Sequence, residues 1–284
     1  MAANDNDNEQ TLRELYEQLD AKLKAPIDPR ELPVRYSRLK LIGQSPAHYY
    51  ASCQRNEAEE SLAMRLGSGV HAMILGEPVT RFSGRRAGKV WDAFEREHAG
   101  TVILNDREWS EAERMSLAIL RHDEASRLLL DGTEREQHLA WDYCGRACSS
   151  RPDAFKRGSH IAELKTARSS NPRDFMRDAW RMGYVGQLAF YDDAHQALTG
   201  CRFPNAYLIA VEKSSPHPVT VYRLTERAMD LARRTTRLWI ETLIGCEAIN
   251  HWPGYSETTI DLDAPDNDNE PIEIVIDGET AEVA

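Results

Sequence analysis

The sequence has no run of about 18 apolar residues, so an ordinary membrane-spanning helix is excluded. It also lacks an apolar stretch behind a basic start. The first 24 residues are acidic and polar, no secretory signal is expected, and a cytoplasmic location is the default. Cysteine is sparse and scattered: the five residues Cys53, Cys144, Cys148, Cys201 and Cys246 are odd in number and make a disulfide framework improbable. Cys144 and Cys148 form the one close pair. No second pair or neighbouring His completes a zinc site, so both are expected in a hairpin core, and an iron–sulfur cluster would need a tighter group. A positive balance is missing too, the net charge being −11. Much of that acidity sits at one end, where residues 255–284 hold ten Asp or Glu and no Lys or Arg. The remainder has 36 acidic against 35 basic residues, a net of −1. A neutral body can still focus positive potential in one groove, so charge alone neither supports nor excludes a nucleic-acid partner.

What is present is enough for a core: 41% apolar residues and six Trp rule out global disorder. Low-complexity Asn/Asp segments, Asn4–Glu9 and Asp266–Glu270, flank an alternation of helices and strands. Thr11 and Glu14 make a capping box before a stripe of Leu12, Leu15, Leu19 and Leu23. Prolines 26, 29 and 33 then break the chain. Short helices are predicted at Ser37–Ile42 and Pro46–Cys53, and a stronger one at Ser61–Leu75 with Leu62, Leu66, Val70, Met73 and Ile74 inward. Residues 77–134 read as a mostly helical insertion with one strand at Thr101–Leu104. Three consecutive strands follow at Glu136–Tyr143, Arg146–Phe155 and Ser159–Lys165, joined at Gly145 and Gly158. Asn171-Pro172 opens a helix that breaks near Gly183 and ends near Leu198. Ala206–Val211 is apolar throughout, as a strand buried on both faces should be. Val219–Leu224 pairs with it, and Thr225 caps a last helix to about Ile249. The predicted domains are an N-terminal segment and helix (1–30), one α/β domain (31–255) and an acidic tail without fixed structure (256–284).

In the strand Ser159–Lys165, the period of two puts Ile161, Glu163 and Lys165 on one face and Ala162 and Leu164 on the other. Asp153 ends the preceding strand, so a hairpin brings two carboxylates and an ammonium together. Two carboxylates can hold a divalent ion through oxygen. Such an ion acidifies water and offsets charge developing on a phosphodiester, while a lysine orients the water or stabilises phosphoryl oxygens. With 46 acidic residues in the chain, Asp followed by Glu-x-Lys arises readily by chance, and charged hairpin faces are usually only solvated. The setting adds weight: Gln187 and Tyr191 lie one turn apart on the following helix, both suited to phosphate or base contacts. His71 sits beside Gly67 and Gly69 on the earlier helix, where a lone His is more often a satisfied structural residue.

The order of these features resembles the RecE-type phage exonucleases, relatives of lambda exonuclease in the PD-(D/E)xK superfamily. The resemblance is carried by Ser37-Arg38-Leu39-Lys40 with Ser45-Pro46-Ala47-His48-Tyr49, Leu66-Gly67-x-x-Val70-His71, Arg151-Pro152-Asp153, Glu163-Leu164-Lys165-Thr166, Gly183-Tyr184-x-x-Gln187-x-x-x-Tyr191, and Trp252-Pro253-Gly254-Tyr255. It implies a restriction-endonuclease-like core of order α-β-β-β-α-β with a helical insertion. It also implies a 5′-to-3′ exonuclease on linear double-stranded DNA, using Mg²⁺ with Mn²⁺ substituting. Asp153, Glu163 and the carbonyl of Leu164 would ligate metal, with His71 a further ligand, and Lys165 would be the catalytic lysine. Gln187, Tyr191, Arg151 and Thr166 would contact DNA, and Glu136 stands where relatives carry an acidic residue on the first strand. The implied context is a phage or prophage protein in a host cytoplasm, resecting DNA ends beside a single-strand annealing protein, as a trimeric or tetrameric ring. Glu163 stands where many relatives have Asp, and the acidic tail is foreign to the family. Two other readings stay open: an endonuclease or single-strand nuclease on the same fold, and a catalytically inactive DNA-binding or assembly module.

Overall fold

The computed structural model describes residues 26–54 and 62–262, together with the backbone of two further strands, Ile272–Ile276 and Glu279–Val283. The helix expected over Leu12–Leu23 lies outside the described residues. In chain order the helices are α1 (Tyr36–Leu39), α2 (Pro46–Gln54), α3 (Leu62–Leu75), α4 (Lys89–Glu97), α5 (Asp106–Arg121), α6 (Asp123–Leu130), α7 (Pro172–Arg181), α8 (Tyr184–Thr199) and α9 (Glu226–Ile249). The strands are β1 (Val79–Arg81), β2 (Val102–Leu104), β3 (Glu134–Arg135), β4 (Leu139–Tyr143), β5 (Arg146–Ser150), β6 (Ala154–Lys156), β7 (His160–Ala167), β8 (Asn205–Glu212), β9 (Val219–Arg223), β10 (Ile272–Ile276) and β11 (Glu279–Val283).

Five strands form the central sheet in the order β3-β6-β7-β8-β9, with β7 and β8 parallel and the other neighbours antiparallel. Because β7 and β8 run parallel, the chain between them must cross over, and α7 and α8 supply the crossover. Alternation splits β7 and β8 between two cores. Ile161, Leu208 and Ala210 pack with Leu188, Phe190, Ile240 and Leu243 of α8 and α9. Ala162, Leu164, Ile209 and Val211 pack with Met115, Ile119, Leu128 and Leu129 of α5 and α6. The stretch read as an insertion is therefore one of the two layers that cover the sheet, and its strand β2 pairs in parallel with β1.

The helix boundaries follow their caps. Asn171 accepts from the Arg173 N–H with Pro172 at the first helical position, and Thr225 accepts from the Ala228 N–H to start α9. Gly183, at φ 79°, takes the left-handed conformation that separates α7 from α8.

Two expectations are corrected. The strand predicted over Arg146–Phe155 is two strands, because Pro152 has no N–H to give to a ladder. The neighbouring strand breaks opposite it, where Glu136 adopts φ 51° and its N–H bonds the Asp153 carbonyl at 3.2 Å. The outer half of the ribbon, β4 with β5, leaves the sheet and lies on α8 through Trp141 against Phe190. The second correction concerns the tail, where β10 pairs with β11 in an antiparallel hairpin. Its sequence signal is alternation in Ile272-Glu273-Ile274-Val275-Ile276 followed by Asp277-Gly278, a favoured two-residue hairpin connection.

Candidate active site

The break at Pro152 turns Asp153 inward beside β7. There both acidic side chains are held by backbone N–H groups. The Asp153 N–H donates to Glu163 Oε1 at 3.0 Å, and the Leu164 N–H donates to Asp153 Oδ2 at 2.7 Å. Glu163 is 1% exposed and Asp153 7%. On the same face of β7, Lys165 Nζ donates to Glu163 Oε2 at 2.8 Å and to Gln187 Oε1 at 2.9 Å. Gln187 Nε2 in turn donates to the Tyr191 hydroxyl at 2.9 Å. The chain carboxylate–ammonium–amide–phenol therefore runs from β7 to α8. The Lys165 ammonium also lies 5.1 Å from the centre of the Tyr184 ring.

α3 supplies His71, whose Nδ1 lies 3.4 Å from Asp153 Oδ1. Glycines make that approach feasible. A Cβ on Gly67 would lie 3.1 Å from Thr166 Oγ1 on β7, and one on Gly69 would stand 2.7 Å from Leu104 of β2. The left-handed turn at Glu136 brings a third acidic side chain. One ligand atom each from His71, Glu136 and Asp153 lie within 4.8 Å of one another. This is the donor cluster the described residues form, and Glu163 stands beside it with both oxygens already accepting hydrogen bonds. Leu164 enters through its N–H. Arg151 is exposed at the edge, paired with Glu136 at 2.7 Å and with Glu77.

The electrostatics show crowding of like charge. Burial, and then the neighbouring Asp153, push Glu163 up to about 7 against the pull of Lys165. Glu136 is likewise pushed up to about 7, by burial and Asp153. For Asp153 burial works upward too, but His71 and Lys165 outweigh it and hold the group below the usual carboxylate range. His71 is raised, its burial overcome by Asp153. Lys165 is raised for the same reason by Glu163 and Asp153. Three crowded carboxyls and an imidazole are a donor set of oxygen and nitrogen that suits a divalent metal.

Beside the cluster opens a cleft of about 320 Å³, lined among others by Arg35, Ser37, Lys40, Arg151, Gln187 and Tyr191. Tyr36 also lines it, and a Cβ at Gly186 on α8 would collide with the Tyr36 hydroxyl. Tyr36, Arg35, Tyr184 and Glu77 carried no assigned role in the sequence. For Tyr184 the signal was its place beside Gly183; for Glu77 there was none.

The family model described as "PDDEXK-like domain of unknown function (DUF3799)" matches residues 36–262. The chain belongs to this family. As a PDDEXK-like protein it is a member of a nuclease superfamily whose enzymes use divalent metals, and the sheet, the crossover helices and the His71–Glu136–Asp153 cluster agree with that. A comparison with curated protein sequences finds no match. Among solved structures it is similar to a candidate exonuclease from Eubacterium rectale, 15% identical, with a TM-score of 0.60 over 86% of this chain and 94% of that one. The alkaline exonuclease of Laribacter hongkongensis, also 15% identical, covers 68% of this chain and 96% of its own, but its TM-score of 0.29 carries no weight. The first likeness is one of fold. None of the helices among the described residues is long and apolar enough to cross a membrane.

Proposed function

We propose that this PDDEXK-like protein is a 5′-to-3′ exonuclease that resects linear double-stranded DNA ends. Residues 31–255 carry the chemistry, and the acidic tail is dispensable for it. The observation that carries the reading is the connected set Asp153, Glu163, Lys165, Gln187 and Tyr191 beside a cleft edged by Arg35, Lys40 and Arg151. A phosphodiester entering the cleft meets basic groups along its backbone and the carboxylate cluster at its scissile bond.

His71, Glu136 and Asp153 would hold the divalent ion, with Glu163 and the Leu164 carbonyl proposed as further ligands; Mg²⁺ is the proposed metal and Mn²⁺ its substitute. When bound, the ion supplies Lewis-acid neutralisation of phosphoryl charge and makes water more acidic. Lys165 points its ammonium between Glu163 and Gln187, where it orients the attacking water or stabilises the phosphoryl oxygens. Gln187 and Tyr191 fix that ammonium and contact the strand near the scissile bond. Arg151 and Thr166 are proposed to contact DNA at the edge of the cleft.

The resemblance to RecE-type exonucleases supports a closed homo-oligomer, trimer or tetramer, working beside a single-strand annealing protein in a bacterial cytoplasm. A ring offers topological grip that a body of neutral charge lacks.

The test is digestion of linear duplex labelled separately at its 5′ and 3′ ends, with and without Mg²⁺. Loss of the 5′ label first supports the proposal. Cutting of closed circles, or of single strands alone, would replace it with another nuclease activity. No cleavage with Mg²⁺ or Mn²⁺ would make the protein a binding or assembly module.

A further inference from the structure

The crossover helix α7 has a side that the proposed chemistry does not use. Phe175 and Ala179 face the core, with Phe175 stacked 4.7 Å from Tyr222. The opposite side presents Arg173, Met176, Arg177 and Trp180, whose spacings of three and four residues form one stripe. Met176 is 54% exposed and Trp180 47%. One turn apart, Met176 and Trp180 make a contiguous exposed apolar surface.

The charges around them indicate the kind of partner. Asp178 is engaged by Arg181, and Asp174 accepts from Ser169, so the acids of this helix are occupied. Neither Arg173 nor Arg177 has an acidic partner among the described residues. The stripe is therefore positive and aromatic on a body whose net charge over residues 1–254 is −1. The helix also ends at the edge of the cleft. Trp180 lies two residues before Met182, which lines the cleft with Lys40 and Gln187, and the Met182 carbonyl accepts from Lys40 Nζ at 3.3 Å.

We infer that this face of α7 is a stacking platform for an unpaired base on a DNA strand that continues out of the cleft. Trp180 takes the base, Met176 extends the apolar surface, and Arg173 and Arg177 take the flanking phosphates. An indole face can stack on a base whose own face is free, which is the condition of a single strand and not of the interior of a duplex. The inference rests on the nuclease reading for its location, but its measurement does not depend on cleavage.

Binding is measured in Ca²⁺ with a fluorescein-labelled oligothymidine of about 15 nucleotides, within the range one such surface spans, and with a blunt duplex. Trp180→Ala should weaken the single strand about tenfold, as loss of one stacked base does, and leave the blunt duplex unchanged. Trp180→Tyr should keep most of the affinity. Trp180→Leu, which keeps apolar bulk without a ring, should behave like Trp180→Ala and serves if that variant fails to fold. The double variant Arg173→Ala, Arg177→Ala should weaken both ligands and flatten the salt dependence by about 0.7 in slope per lost contact for the single strand. Wild-type affinity for the single strand in Trp180→Ala or Trp180→Leu overturns the platform. So does a change of mass by light scattering with unchanged DNA binding, which would make the face a protein interface. If the wild type cleaves nothing yet Trp180→Ala still loses the single strand, the platform stands and the nuclease reading falls.

Discussion

Buried charge occurs in two kinds of place in this molecule. Away from the cleft, Arg146 lies under the N-terminal segment, donating to both oxygens of Glu247 at 2.9 to 3.1 Å and to the carbonyls of Pro29 and Leu32 at 2.9 and 3.1 Å. Asp192, fully buried on α8, accepts from the Phe203 N–H at 2.9 Å, from Arg202 at 2.6 Å and from Arg233 at 3.0 Å. In both, each charge is opposed and hydrogen-bonded, the condition under which a buried ion pair is tolerated. In the cleft, Glu136, Asp153 and Glu163 face Lys165, His71 and the exposed Arg151, yet two of the three carboxyls are pushed up to about 7. Charge that only holds the fold is balanced within the protein. In the cleft the carboxyls stay raised despite their basic partners, the condition that suits a divalent ion.

Substitutions can break that contrast at either end. The largest effect is expected at Lys165. Lys165→Ala should keep fold and metal binding and lower single-turnover cleavage by about two to three orders of magnitude, the scale for losing one group that stabilises developing charge. DNA binding in Ca²⁺ should change little, and Lys165→Arg should not restore cleavage, because a planar guanidinium cannot replace a compact ammonium. A Lys165→Ala enzyme cleaving at wild-type rate would show the centre to be misassigned.

Arg146→Ala should do the reverse. It strands Glu247 in the interior and should cost about 3–5 kcal/mol in urea unfolding, while any folded fraction cleaves normally. Replacing both partners by apolar residues should recover most of that loss; if it does not, the clasp is not a balanced pair.

Next comes the donor set. Asp153→Ala should weaken Mn²⁺ binding in calorimetry by at least the roughly 10–100-fold that loss of an outer partner already costs, and Glu136→Gln should weaken it less. Equal affinity in Asp153→Ala and wild type would remove Asp153 from the metal site.

The smallest effect is in pH. A carboxyl at about 7 in the fold and near its ordinary value when unfolded means that the folded protein holds extra protons between those limits. Stability of the metal-free protein contributed by Glu136 and Glu163 should therefore fall as pH rises through that window. Raised His71 adds in the same direction and lowered His160 opposes it. Metal affinity should rise through the same window, since the ion displaces those protons. Melting curves from pH 5 to 8 check this, and Glu136→Gln should flatten the slope; an unchanged slope would refute the crowding.

Much of the site was legible in the sequence because it depends on short-range periodicity. Glu163 and Lys165 two apart on a strand must share a face, and Gln187 and Tyr191 four apart on a helix must share one. What periodicity alone could not supply was decided where two strands break together. The kink at Pro152 had a visible cause, but Glu136 reaches His71 and Asp153 only because its own strand breaks opposite, in a conformation its residue type does not announce. The cleft escaped as well, since Tyr36, Met182 and Ser149 meet there from three separate elements.

By itself the sequence determined the order of elements, the caps at Asn171 and Thr225, the apolar run of β8 and the pairing of Glu163 with Lys165, all consequences of local backbone geometry and side-chain period. Only the tertiary structure decided that α5 and α6 form a layer of the core, that Glu136 and His71 meet Asp153, and that Arg146 is clasped by Glu247 while two carboxyls of the cleft stay raised. Those outcomes depend on which groups burial forces together from distant parts of the chain, and the energy of a buried charge is set by its neighbours in space.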